Sequence, residues 1–377
     1  MISFIKGLYF DLDCRVQRVL SQLKDNTFHP DIQKLFVPKT IEYLEELDVL
    51  LQSKMNCGDL DVDFLAPNNI TDFNQYFEWF KNIEFYRISV IMNYREEAEG
   101  YLNKKIKKIY DEIKHLSNPP ILTTISNSQD YYWAETYFEI IAVPYGEEHN
   151  LLNLPDLYHE IGHLICRQYP DIVEDKFLPI LRAYFDEQIN LSYDKGTNEH
   201  YVPFFNEKKK YWEAYWIEEF TCDMIATYLC GPAFAWANMK MSAISNGSKA
   251  IFLYSPSHPS DESRMRAVFM MLNKIDFANE CGEITASWEQ FLAHTNNPKG
   301  PDYEFIFPDA LLEQLRDIVF DYCKGIDLAT YQEQIETHTN PISKTVNDAW
   351  NELHREPFEF ERVQREMIGE IKKLLDK

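Results

Sequence analysis

Basic residues are scarce in this chain: 37 lysines and arginines stand against 61 aspartates and glutamates over 377 residues, a formal charge of −24. That balance argues against a nucleic-acid partner, because a surface that tracks phosphates needs a net basic patch. The dense basic runs, Lys104-Lys105 with Lys107-Lys108 and Lys208-Lys209-Lys210, read as solvated helix faces. Also missing is any uninterrupted apolar run near the roughly 20 residues that span a bilayer, so no membrane insertion is expected. The opening Met1-Ile2-Ser3-Phe4-Ile5-Lys6 meets Asp11 and Asp13 before an apolar signal segment develops, and no signal peptide is read. C-x-x-C pairs are absent. The 7 cysteines are scattered and odd in number, which suits reduced core thiols in the cytoplasm better than a disulfide framework. No solenoid repeat and no low-complexity tract occurs.

What is present is core material: 45% of residues are hydrophobic and 15% aromatic, enough for one or two sizeable cores in about two or three domains. Residues 1–116 read as an N-terminal helical region, with apolar positions at helical spacing in Ile41–Leu47 and in a longer stretch from Asn74 to Leu116. Asn118-Pro119-Pro120 ends it, because proline cannot continue a helix. From Ile121 to Val143 β-branched and aromatic residues dominate, and Asn127-Ser128-Gln129-Asp130 reads as a turn between two strands. Helices resume after Pro144-Tyr145-Gly146. A C-terminal helical region follows from 279 to 377, broken at Asn296-Asn297-Pro298. The expected fold is mainly α (α+β) with a small sheet in a central region, 117–278.

The chemistry concentrates in Leu154-Pro155-Asp156-Leu157-Tyr158-His159-Glu160-Ile161-Gly162-His163-Leu164-Ile165-Cys166. This is H-E-x-x-H, framed as one helix by Pro155 at its start and Pro170 beyond its end. On a helix His159 and His163 share a face, so both imidazoles reach one zinc ion at about 2.0–2.1 Å. Glu160 projects beside them, placed to take a proton from water that the metal has acidified. By composition such a motif arises by chance with a probability of about 2%. Its setting strengthens the metal reading over a pair of ordinary core histidines, since the helix is apolar and unsatisfied buried imidazoles are costly. Gly162 costs about 1 kcal/mol inside a helix, which makes sense where another backbone packs closely.

A catalytic zinc needs a third protein ligand. The next strongly patterned helix, Tyr211 to Cys230, carries Glu218, Glu219 and Asp223 in an otherwise apolar run that Gly231-Pro232 ends. Glu219 and Asp223 share a face, so Glu219 can ligate while Asp223 accepts the free ring N–H of a ligating histidine. Glu218, roughly 100° away around the helix, is the competing ligand, and a merely solvated helix face is the bland alternative.

The H-E-x-x-H helix followed by E-x-x-x-D resembles the glutamate-type zinc metallopeptidases, the gluzincins, over roughly residues 135–270. The resemblance implies a zincin-like core with one zinc per chain: His159, His163 and Glu219 as ligands, Glu160 as general base and Asp223 in support. Ser257-His258-Pro259-Ser260-Asp261-Glu262-Ser263-Arg264 is similar to the H-P-x-x-x-x-R stretch of CAAX-prenyl and heat-shock membrane metallopeptidases. That similarity implies His258 as an oxyanion donor and Arg264 as an orienting or substrate-binding residue. Those families are membrane peptidases, whereas this chain has no transmembrane pattern. Locally, His258-Pro259-Ser260 also reads as a loop leading into a helix N-cap.

Zincins further imply that the strand Tyr137 to Val143 is an edge strand that holds an extended peptide; a core strand is the equal alternative. Tyr145, Tyr158, Tyr228 and Tyr254 are candidate phenol donors, and a loop from Asp186 to Asn206 is a candidate lid. The function expected is hydrolysis of a peptide or protein substrate. The alternatives are a zincin-like module that recognises a partner through its helical extensions, and a zinc amidase for a small molecule.

Overall fold

Residues 2–34, 36–62, 65–113, 119–126, 131–170, 172–194, 198–244, 251–294 and 299–376 are described by a computed structural model, which is mainly helical with one three-stranded sheet. The Asn127–Asp130 turn and the Asn296–Pro298 break lie outside these residues. Before the sheet come α1 (Ile2–Asp25), α2 (Pro30–Gln33), α3 (Phe36–Asn56), α4 (Ala66–Ile83), α5 (Ser89–Asn93) and α6 (Tyr101–Glu112). The sheet comprises β1 (Ile121–Ser126), β2 (Trp133–Glu135) and β3 (Ile140–Pro144). After it come α7 (Asp156–Gln168), α8 (Ile172–Asp194), α9 (Asn198–Tyr211), α10 (Ile217–Cys230), α11 (Pro232–Ile244) and α12 (Asp261–Lys274). The chain continues through α13 (Ala278–His294), α14 (Tyr303–Ile306), α15 (Asp309–Gly325), α16 (Tyr331–Thr337), α17 (Pro341–Arg355) and α18 (Phe360–Leu375). No helix among the described residues is long and apolar enough to cross a membrane.

The chain divides into two compact units, residues 1–104 with 120–148, and residues 105–119 with 149–377. The three regions 1–116, 117–278 and 279–377 expected from the sequence follow its punctuation rather than this division. The sheet groups with the N-terminal helices, and the C-terminal helices group with the motif helix, because α15, α16 and α17 all pack on α10.

In the first unit α1, α3 and α4 bury Tyr9, Val16, Leu44, Leu47, Phe80 and Ile83, the apolar stripe that helical spacing predicts. The Asn74–Leu116 pattern is not one helix. It passes through a π-helical stretch at Glu84–Ile88, stops after α5 where Tyr94 leaves the helical region, and restarts through a second π stretch at Glu96–Gly100. Arg87, on the first of these, is fully buried. It donates to the carbonyls of Phe36 at 2.7 Å and Phe138, and to Thr40 Oγ1 at 3.0 Å, and its guanidinium lies 3.5 Å from the Phe36 ring centre.

The Tyr131–Val143 stretch is a hairpin rather than one strand: β2 and β3 pair antiparallel, and Glu139 in the turn takes a positive φ of 57°. β1 pairs parallel to the other side of β3, giving the order β1-β3-β2. The strand expected to offer an edge to a peptide is therefore the central one. All five of its residues are buried and its backbone is paired on both sides.

In the second unit α7 lies against α10, which is also packed by α11, α12, α15, α16 and α17. Gly162 makes this approach possible: a Cβ there would sit 2.9 Å from Cys222 Cα and 3.0 Å from its Cβ. Gly231 ends α10 with φ 65° and ψ −143°, a conformation that needs glycine, and a Cβ there would fall 2.2 Å from the Tyr331 ring. Two expectations change in this unit. The proposed lid, Asp186 to Asn206, is largely helical, divided between α8 and α9. The basic runs are only partly solvated: Lys105 is buried, and Lys208 is buried with its ammonium 4.8–5.2 Å from the rings of Tyr211, Tyr254 and Phe204. Long alkyl stems bury readily while the charge finds aromatic faces.

Candidate metal centre

The motif helix starts as its sequence dictates. Pro155 sits at the N-cap with φ −57°, Asp156 occupies the first turn, and Tyr169 leaves the helical region just before Pro170. Burial of Leu157, Tyr158, Ile161 and Ile165 fixes the rotation of α7, and His159 and His163 reach side chains of α10. α10 follows directly on a π-helical stretch, Trp212–Trp216, so the Tyr211–Cys230 segment is not uniformly α. Such stretches recur beside functional sites.

His159 Nε2 lies 3.6 Å from Glu219 Oε2, and His163 Nε2 lies 3.7 Å from Glu219 Oε1. The donor atoms of His159, His163 and Glu219 all fall within 4.8 Å of one another, the one such group among the described residues. Tetrahedral zinc with bonds of about 2.0–2.2 Å sets its ligands roughly 3.3–3.5 Å apart, so the donor set and its spacing fit one such ion. Two nitrogens and a carboxylate oxygen are also the donors of a three-ligand catalytic zinc.

The far nitrogens complete the arrangement. His159 Nδ1 is 2.9 Å from Asp223 Oδ1, and His163 Nδ1 is 2.8 Å from Glu218 Oε1. A carboxylate can only accept, so each Nδ1 carries a proton, which leaves Nε2, the nitrogen facing Glu219, as the one that could ligate a metal. Glu218 thus lies on the other side of the His163 ring from Glu219. No sequence pattern marks Glu218 for this role, because its direction matters only once α7 is docked. Phe234, in the first turn of α11, lies parallel to the His159 ring with centroids 6.4 Å apart, a contact with no signal in the sequence beyond its place after Gly231-Pro232.

Arg264 follows from the expected capping: Ser260 is the N-cap of α12, its side chain accepting from Ser263 N, and the first turn carries Arg264 inward. Its Nε and Nη2 each donate at 2.7 Å to Asp223, while Nη2 lies 3.8 Å from Glu219 Oε2. Burial alone would raise the Asp223 pKa, but the Arg264 guanidinium and the His159 contact hold it well below the usual carboxylate range. Burial likewise opposes charge on His163, yet the Glu218 hydrogen bond together with Glu160 and Glu219 lifts its pKa to about 10. Such surroundings favour a cation.

His258 is on the exposed side of the loop before α12, its Nδ1 2.9 Å from Ser257 Oγ and its backbone N–H bonded to Ser255 Oγ at 3.0 Å. Although the residue is exposed, partial desolvation of its ring lowers its pKa, as do the charges of Arg264, His159 and His163, while Glu219 opposes them. The loop is anchored by Trp216 Nε1, which donates to Ser255 O at 3.0 Å. The tyrosines are mostly structural: Tyr228 donates to Leu328 O at 3.0 Å, Tyr254 packs on Trp216 and Phe307, and Tyr158 is fully buried. Tyr145 belongs to the other unit. Comparison with protein families, with curated proteins and with solved structures finds no match for the chain.

Proposed function

We propose that the protein is a zinc-dependent metallopeptidase of the gluzincin kind, with His159, His163 and Glu219 holding one zinc ion. The observation that carries this reading is the convergence of both Nε2 atoms on the two oxygens of Glu219, at 3.6 and 3.7 Å, with Glu160 on the same helix between the histidines. When bound, zinc supplies Lewis acidity, lowering the pKa of water towards about 7 and polarising a carbonyl. Glu160 takes the proton from the attacking water and passes it to the leaving amine nitrogen. Asp223 and Glu218 keep the Nδ1 protons of the two histidines in place, and Arg264 keeps Asp223 ionised. His258 is assigned as a donor to the oxyanion that develops on the substrate carbonyl.

The substrate is a peptide or protein segment, basic or neutral in keeping with the −24 charge of the chain. The presence of a base beside a complete ligand set favours turnover over a purely binding role. That none of the 7 cysteines forms a disulfide supports a cytoplasmic location. The test is Glu160→Gln in a peptide-library assay: zinc content should remain near one per chain while cleavage falls by about 10²–10⁴. A Glu160→Gln variant with wild-type turnover overturns the reading.

A further inference from the structure

Consecutive residues on α10 address opposite nitrogens of a single imidazole. Glu218 Oε1 is 2.8 Å from His163 Nδ1, and Glu219 Oε1 is 3.7 Å from His163 Nε2. Neighbouring side chains on a helix diverge by about 100°, so adjacent acids can grip a ring from both ends only if the ring is inserted between them. The α7–α10 approach at Gly162, one residue before His163, permits that insertion.

The two ligand histidines are thus held by carboxylates in different surroundings. Asp223, behind His159, is fully buried and its charge is balanced by the Arg264 fork. Glu218, behind His163, has a side chain 45% exposed and reaches no arginine or lysine within 4.0 Å among the described residues. Its full negative charge is directed at His163.

From this asymmetry we infer that Glu218 is a positioning residue for the metal: it fixes the His163 tautomer and ring angle. A carboxylate in this place strengthens metal binding without touching the ion, and its loss characteristically weakens affinity about 10–100-fold. The assignment rests on the zinc reading.

The test uses the full chain as wild type, Glu218→Ala and Glu218→Gln, with zinc affinity read by competition against a chromophoric chelator and the visible spectrum of the Co²⁺-loaded protein read in parallel. Glu218→Ala should bind zinc about 10–100-fold more weakly and shift the Co²⁺ bands. Glu218→Gln, which keeps an acceptor oxygen but not the charge, should recover part of the affinity. Thermal unfolding of the metal-free proteins should be nearly the same for all three, since a half-exposed side chain contributes little to the core. If Glu218→Ala binds zinc as wild type does, with an unchanged Co²⁺ spectrum, the positioning role is overturned and the zinc reading stands. A wild type that binds no zinc overturns both.

Discussion

Arg264 grips Asp223 through two hydrogen bonds of 2.7 Å, from Nε and from Nη2, while the same carboxylate accepts His159 Nδ1 at 2.9 Å. A planar fork matched to a carboxylate is what arginine offers and lysine does not. Arg264→Lys should therefore retain charge balance but lose geometry, weakening zinc binding about 10-fold in chelator competition. Arg264→Ala strands a fully buried carboxylate and should cost about 3–5 kcal/mol in urea unfolding of the metal-free protein.

Gly162→Ala should separate two helices. The added methyl meets Cys222 Cα at 2.9 Å, and a backbone atom cannot rotate aside. The expected loss is about 1–3 kcal/mol of stability, seen as a lowered melting temperature, together with reduced zinc content. Adding Cys222→Ala should not restore either quantity, because the nearest clash is with Cα rather than sulfur. Full restoration by the double variant would show the contact to be a side-chain one.

Removing zinc should soften the second unit without unfolding it. A ligand bound only by the folded state adds stability that grows with its concentration, so chelation should lower the melting temperature and added zinc should raise it. Helix content by circular dichroism should hold, since α7 and α10 pack together and Leu157, Ile161, Ile165, Phe220 and Met224 on them are buried whether or not a metal is bound. Collapse of the helical signal on chelation would instead mark the metal as the folding nucleus of this unit.

Arg87 offers a test in the first unit, which carries none of the candidate metal ligands. Its guanidinium supplies donors to Phe36 O, Phe138 O and Thr40 Oγ1 in a fully buried setting. Arg87→Leu should leave buried acceptors unmet and cost about 2–5 kcal/mol, measured by chemical denaturation. Zinc affinity should be unaffected.

The parts of this molecule that the sequence discloses are those set by a single helix. His159 with His163, and Glu219 with Asp223, are i, i+4 pairs, so their shared faces follow from helical geometry before any packing is known. Gly162 was legible for a similar reason, as a costly residue in a helix that needed a neighbour. Glu218 and Phe234 were not, because each acquires meaning from the docking of a second element. The strand β3 carried its own signal: Ile140-Ile141-Ala142-Val143 is a continuous apolar run, the pattern of a strand covered on both faces, and of the two equal readings, edge and core, the core one holds. Lys208 misled because a lysine run looks solvated until aromatic partners from α9 and the loop at Tyr254 close around it.

Tyr331 occupies the space that a side chain at position 231 would need, so the helix bearing Glu219 and Asp223 ends against an element one hundred residues further along the chain. The end of α10 is thereby tied to the packing of the C-terminal helices. A chain cut before α15 would lose the packing that terminates and covers α10, and with it the alignment of Glu219 to the two imidazoles. The compact unit that carries the centre comprises residues 105–119 and 149–377, and nonsense or frameshift changes far downstream of the motif should abolish metal binding as completely as loss of a histidine.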